Sequence, residues 1–159
     1  MKDKVLEYIK NVLEPAREEY NGISACPFAK KERESDNIFI DEITYENDFM
    51  ICMKKFINSG KNSAVFINDG EMPEKDTKRY QRFLNKILEY SDLKKWKALC
   101  INPNDKLEVD GLNVRALAPC FLVLINDKKD IYYAHQSMKK TKYYDKMSSK
   151  YKEYLGIKK

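Results

Sequence analysis

One histidine, His135, is all that the 159 residues contain. A two-histidine facial triad or a multi-histidine cage therefore cannot be assembled within one chain. Close cysteine pairs are missing as well. Cys26, Cys52, Cys100 and Cys120 stand far apart with no CxxC or CxxxC, which removes the usual donor pattern of structural zinc. Glycine-rich phosphate loops of the GxGxxG or Walker type, the GxSxG elbow and HExxH are absent too, so phosphate-loop, hydrolase and zinc-protease chemistry fall away. No apolar run approaches the roughly 18 residues of a membrane span. The opening MKDKVLEYIKNVLEPAREEY alternates charged with apolar residues where a signal peptide would be uninterrupted. A cytoplasmic, reducing location is the expectation. No repeat, low-complexity stretch or linker divides the chain, which predicts a single domain over 1–159.

What is present is a balanced globular composition, 43% hydrophobic and 35% charged, with a net charge of +5. Apolar residues at helical spacing predict a first helix over 3–19, ended or kinked by Pro15, and Asn21-Gly22 predicts a turn. IFIDEI (38–43) alternates as a half-buried strand does. Phe49 to Ile57 repeats at three and four and closes at Gly60, and SAVFI (63–67) is a short apolar strand. Pro73 opens a helix with Tyr80, Phe83, Leu84, Ile87 and Leu88 on one face. KALCI (97–101) and CFLVLI (120–125) are strands, the second apolar throughout and so central. The order predicts an α/β (α+β) sandwich: a mixed four-stranded sheet, roughly ferredoxin-like, with helices on one face and the last two strands antiparallel. The segment 128–159 is rich in lysine and tyrosine and reads as mostly helical.

Two residues invite chemistry. His135 lies in YYAHQSMKKTK, where Tyr132 and Tyr133 are candidates for an apolar pocket and Lys139, Lys140 and Lys142 for partners of carboxylates. With one imidazole available, haem is the economical redox cofactor, because the porphyrin supplies four ligands and the protein need give one. A plain surface histidine is the competing reading. Cys26, in NGISACPFAKK, precedes a proline that fixes the chain direction. Lys30 and Lys31 are placed to lower its thiol pKa, which fits a reactive thiolate or haem ligand; a cysteine packed under a turn is the plainer reading and the one the usual burial of free cysteine favours. A Cys26–His135 thiol enzyme is a further reading. The lysines and tyrosines of the C-terminal segment also suit a cofactor-free module contacting nucleic acid or a protein, with tyrosines stacking on bases.

The CPFAKK segment after an N-terminal helix, the strand SAVFI, the helix holding YQRFLNKIL and the strand CFLVLI before a histidine and a basic cluster together resemble the YqcI/YcgG family of haem-dependent oxygenases. They are similar also to a smaller family with a GLNLCPFAK-like opening. Where the first family has H-x-x-R-x-S-R, this chain has His135 followed by K-x-T-K one residue later, and it is shorter than typical members. The resemblance implies a haem protein that uses dioxygen and an electron donor to hydroxylate a nitrogen of a small amine, guanidine or amino-acid substrate. On that reading His135 is the axial ligand and Cys26 the competing one. Phe28, with the CPF segment, forms a pocket wall, and Arg115, Lys139 and Lys142 neutralise propionates or a substrate carboxylate.

Overall fold

The structure is a computed structural model and describes residues 1–157. In chain order it contains α1 (Lys2–Tyr8), continued by a π-helical turn at Ile9–Leu13, and the short strands β1 (Ala16–Arg17) and β2 (Ile23–Ser24). These are followed by α2 (Ala29–Glu34), β3 (Ile38–Glu42), α3 (Phe49–Ser59), β4 (Ser63–Asn68) and α4 (Glu74–Glu89). Then come β5 (Trp96–Ile101), β6 (Phe121–Asp127), α5 (Lys128–Lys139) and α6 (Ser149–Tyr154). The main sheet runs β3-β4-β6-β5, with β3 parallel to β4 and β6 antiparallel to both its neighbours. The α+β class and the mixed four-stranded sheet match the sequence expectation. No helix among the described residues is long and apolar enough to cross a membrane.

The helices differ from expectation in that they cover both faces. Alternation along each strand sends Ala64, Phe66, Ala98, Cys100, Phe121, Val123 and Ile125 to one face, where they meet α3 and α4 through Phe56, Leu84 and Leu88. Val65, Ile67, Ile101, Leu122 and Leu124 point the other way, onto α1, the π-helical turn, Met138 of α5 and three tyrosines near the C-terminus, Tyr143, Tyr144 and Tyr151. A strand with an unbroken apolar run, as β6 has over Phe121–Ile125, demands cover on both sides; a one-sided layer would leave Leu122 and Leu124 in water.

The first helix is shorter than the 3–19 expected. Its α-helical part ends at Tyr8, and the Glu14 N–H then bonds to the Ile9 carbonyl at 3.0 Å, five residues back. Pro15, having no N–H, cannot continue the ladder. Ala16 and Arg17 instead turn extended and pair with Ser24 and Ile23 around a hairpin whose tip, Asn21-Gly22, has φ of +56° and +82°.

Helix α4 does more than fill the core. Its Asn85 side chain both donates to the Ala98 carbonyl (2.9 Å) and accepts from the Ala98 N–H (2.8 Å), and Gln81 accepts from the Cys100 N–H (2.8 Å). Two side chains thus occupy the free edge of β5 as a neighbouring strand would, which blocks edge-to-edge association. Asn85→Ala should destabilise the protein by about 2–4 kcal/mol, because two edge groups lose their partners. The exposed Lys86→Ala on the same helix should change stability by no more than about 0.5 kcal/mol. Urea unfolding of the two variants checks this, and equal midpoints would refute the edge role.

Candidate functional site

The CPF segment is a turn held at three points. The Cys26 N–H donates to the Leu13 carbonyl (3.0 Å), which Pro15 and the change to extended backbone leave outside the helical ladder. The Cys26 carbonyl accepts from the Ala29 N–H (3.1 Å), and Phe28 has φ −98° and ψ −8°. These are the features of a type I turn, with Pro27 at the position where a fixed φ is favourable. The Tyr143 hydroxyl donates to the Ala25 carbonyl and clamps the turn from the far end of the chain.

Facing the turn is α5, started by Asp127, whose carboxylate accepts from the Lys129 N–H at 2.8 Å. Ile131, Ala134, His135 and Met138 recur at the i, i+3, i+4, i+7 spacing of an inward stripe and are partly or fully buried. His135 therefore turns toward the sheet rather than outward. Its Nδ1 lies 2.6 Å from the Tyr144 hydroxyl. Burial lowers its pKa below the usual 6.5, and the nearby cations Lys97 and Lys139 push the same way. The ring is held neutral; the tautomer that carries its proton on Nδ1 donates to Tyr144 and keeps a free lone pair on Nε2, whereas the other accepts from the Tyr144 hydroxyl at Nδ1.

Three cavities border the CPF turn, two of them also lined by α5, and Cys26 and Phe28 line all three. An outer cleft of about 520 Å³ and an inner cavity of about 190 Å³ both also carry His135. Arg115 lines the inner one. The fold thus brings together Cys26, Phe28, His135 and Arg115, as the sequence reading grouped them. It does not bring Lys139 and Lys142, neither of which lines any of these three cavities. Lys31 and Lys97 line the outer cleft in their place, with the acidic Glu32 and Asp130. Of the two tyrosines expected as pocket residues, Tyr133 lines the outer cleft while Tyr132 lines none of the three cavities.

Two further expectations change. Cys26 has its thiol pKa raised rather than lowered: burial is the main cause, the Phe28 and Ala29 N–H groups oppose it, and Glu14 adds a smaller upward push. Lys30 and Lys31 do not make it a thiolate. Of the six tyrosines of the C-terminal segment, Tyr143, Tyr144, Tyr151 and Tyr154 are buried, so only Tyr132 and Tyr133 present exposed rings. Sequence reasoning missed Tyr144 as the partner of His135 and missed Asp105, which lies 3.6 Å from Arg115. The stripe at 131, 134, 135 and 138 was the available signal for the histidine. Compared with protein-family models, curated proteins and solved structures, the chain matches none.

The lowered pKa carries a sign. An unfolded chain takes up a proton at His135 near 6.5, before the folded protein does, so folding stability should fall as pH drops from about 6.5 toward the folded midpoint. The single imidazole makes an NMR titration unambiguous: its midpoint should lie below 6.5, and His135→Gln should flatten this part of the stability profile. A midpoint at or above 6.5 would contradict the burial described.

Proposed function

We propose that the chain binds haem in the outer cleft through His135 and acts in the cytoplasm as a haem-dependent oxygenase, hydroxylating a nitrogen of a small amine, guanidine or amino-acid substrate. The observation that supports this most is that Cys26 and His135, distant in sequence and paired by the CPFA resemblance, line the same two cavities. The donor set fits the group. Among the described residues no three His, Cys, Asp or Glu side chains come together as a metal set, whereas a porphyrin asks the protein for a single axial ligand. The neutral, Tyr144-bonded imidazole is suited to that role, and such a partner fixes ring orientation and raises basicity. Lys31 and Lys97 are the cations placed to meet propionates, and Phe28 gives an apolar wall. When bound, haem would supply the activation of dioxygen. The chain's own part is to orient the imidazole, exclude water with the aromatic walls and keep Cys26 a neutral thiol that packs rather than ligates.

A hemin titration followed in the visible region tests this. The wild-type protein should develop a Soret band, His135→Ala should lose or shift it, and Cys26→Ser should keep it. Tyr144→Phe should weaken binding about 10–100-fold, the usual cost of removing an outer-shell partner. A wild-type protein that gives no Soret band with hemin sinks the proposal.

A further inference from the structure

The inner cavity holds a surplus of hydrogen-bond donors. Arg115 is only 3% exposed. Its Nη1 donates to the Cys100 carbonyl at 2.7 Å, and its guanidinium carbon lies 4.3 Å from the centre of the Tyr154 ring. Its Nε–H finds no acceptor. Asp105 offsets the positive charge from 3.6 Å, with its own Oδ2 also lacking a hydrogen-bond partner, but it does not line the cavity and leaves the Nε hydrogen unpaired. Beside it, the Tyr20 and Tyr151 hydroxyls lie 3.4 Å apart and share one hydrogen bond. One of the two must donate, so the other hydroxyl hydrogen is left without a protein acceptor among the described residues. Arg115, Tyr20 and Tyr151 all line the inner cavity. A buried donor left unpaired costs about 1–3 kcal/mol, and two in one cavity call for an acceptor from outside the chain.

The remaining wall defines what that acceptor is attached to. Ile101, Val114, Leu124 and Met138 line the same space with no charge among them. The volume, about 190 Å³, exceeds the ~150 Å³ that suffices for a benzene ring in an apolar cavity. We propose that the inner cavity is a subsite for a monocarboxylate with a compact apolar body. The carboxylate accepts from the Arg115 Nε–H and from the spare hydroxyl of the Tyr20–Tyr151 pair, and the apolar body lies against Ile101 and Leu124. This goes beyond the haem reading and does not depend on it, since none of these groups touches a metal.

Isothermal titration of the full chain prepared without hemin separates the two. Benzoate is the probe; benzyl alcohol supplies the same body without charge, and inorganic phosphate the charge without the body. Benzoate should bind, with benzyl alcohol and phosphate each at least about tenfold weaker. Arg115 also fastens a sheet edge, so Arg115→Ala is open to misfolding. The deciding variant is Tyr20→Phe combined with Tyr151→Phe, which removes only two oxygen atoms; both are needed because either hydroxyl alone is free to donate. It should weaken benzoate about tenfold or more while the far-ultraviolet spectrum stays unchanged, in keeping with the loss of a hydrogen bond to a charged group. No benzoate binding to the wild type, equal affinity in the double variant, or phosphate binding as tightly as benzoate would each overturn the proposal. A protein that binds benzoate but shows no Soret band would remove the haem reading alone.

Discussion

The carbonyl of Cys100, on the outer edge of β5, is the point on which the rest of the molecule converges. It accepts from Arg115 at 2.7 Å and from the Tyr154 hydroxyl at 2.9 Å, while the N–H of the same residue is taken by Gln81. An edge strand beside a buried layer has no water to satisfy it, and each unpaired group costs about 1–3 kcal/mol. Here three separate segments supply the partners: α4, the long loop before β6, and α6. Satisfying one strand edge therefore also fixes the loop that carries Arg115 and the tyrosines that close the second face of the sheet.

That closure explains the character of the cavity. Its floor is the sheet, with Leu99, Ile101 and Leu124. Its walls are the CPF turn and α5, and Tyr143, Tyr144 and Tyr151 complete the lining. Three tyrosine hydroxyls around it tie segments together: Tyr8 to the Val114 carbonyl, Tyr143 to the Ala25 carbonyl, Tyr144 to His135. Low polarity then sets the charge states. The imidazole and the Cys26 thiol are both held neutral by the same burial, with opposite directions of pKa shift because one is a base and the other an acid.

The strands and the two long helices were legible because their signals are periodic. CFLVLI, apolar at every position, is the central β6, and Gly60 ends α3 at φ +71° as read. Errors arose where burial depends on distant partners. Phe83 was placed on the buried face of α4 yet is exposed, while Thr77 and Asn102 are buried and bonded to one another at 2.8 Å. Composition carried no sign of burial in the C-terminal segment: it is rich in lysine and tyrosine, yet Tyr143, Tyr151 and Tyr154 are core residues. At the candidate site, the meeting of Cys26 with His135 followed from resemblance rather than spacing. The Arg115–Asp105 pair had no local signature, since neither residue belongs to a regular element.

The clamp of Tyr143 on Ala25, and the contact of Tyr151 with Tyr20, join the two ends of the described chain across more than a hundred residues. Contacts so far apart in sequence are late events in folding, because chain entropy must be given up before they return any stabilisation. During synthesis the α3–α4 side of the sheet has most of its residues available early. The CPF turn must wait, uncovered, until residues 143–154 have left the ribosome. Apolar Val5, Ile9 and Leu13 are exposed for that interval, and the N-terminal third of the nascent chain is where chaperone contact has most surface to work with.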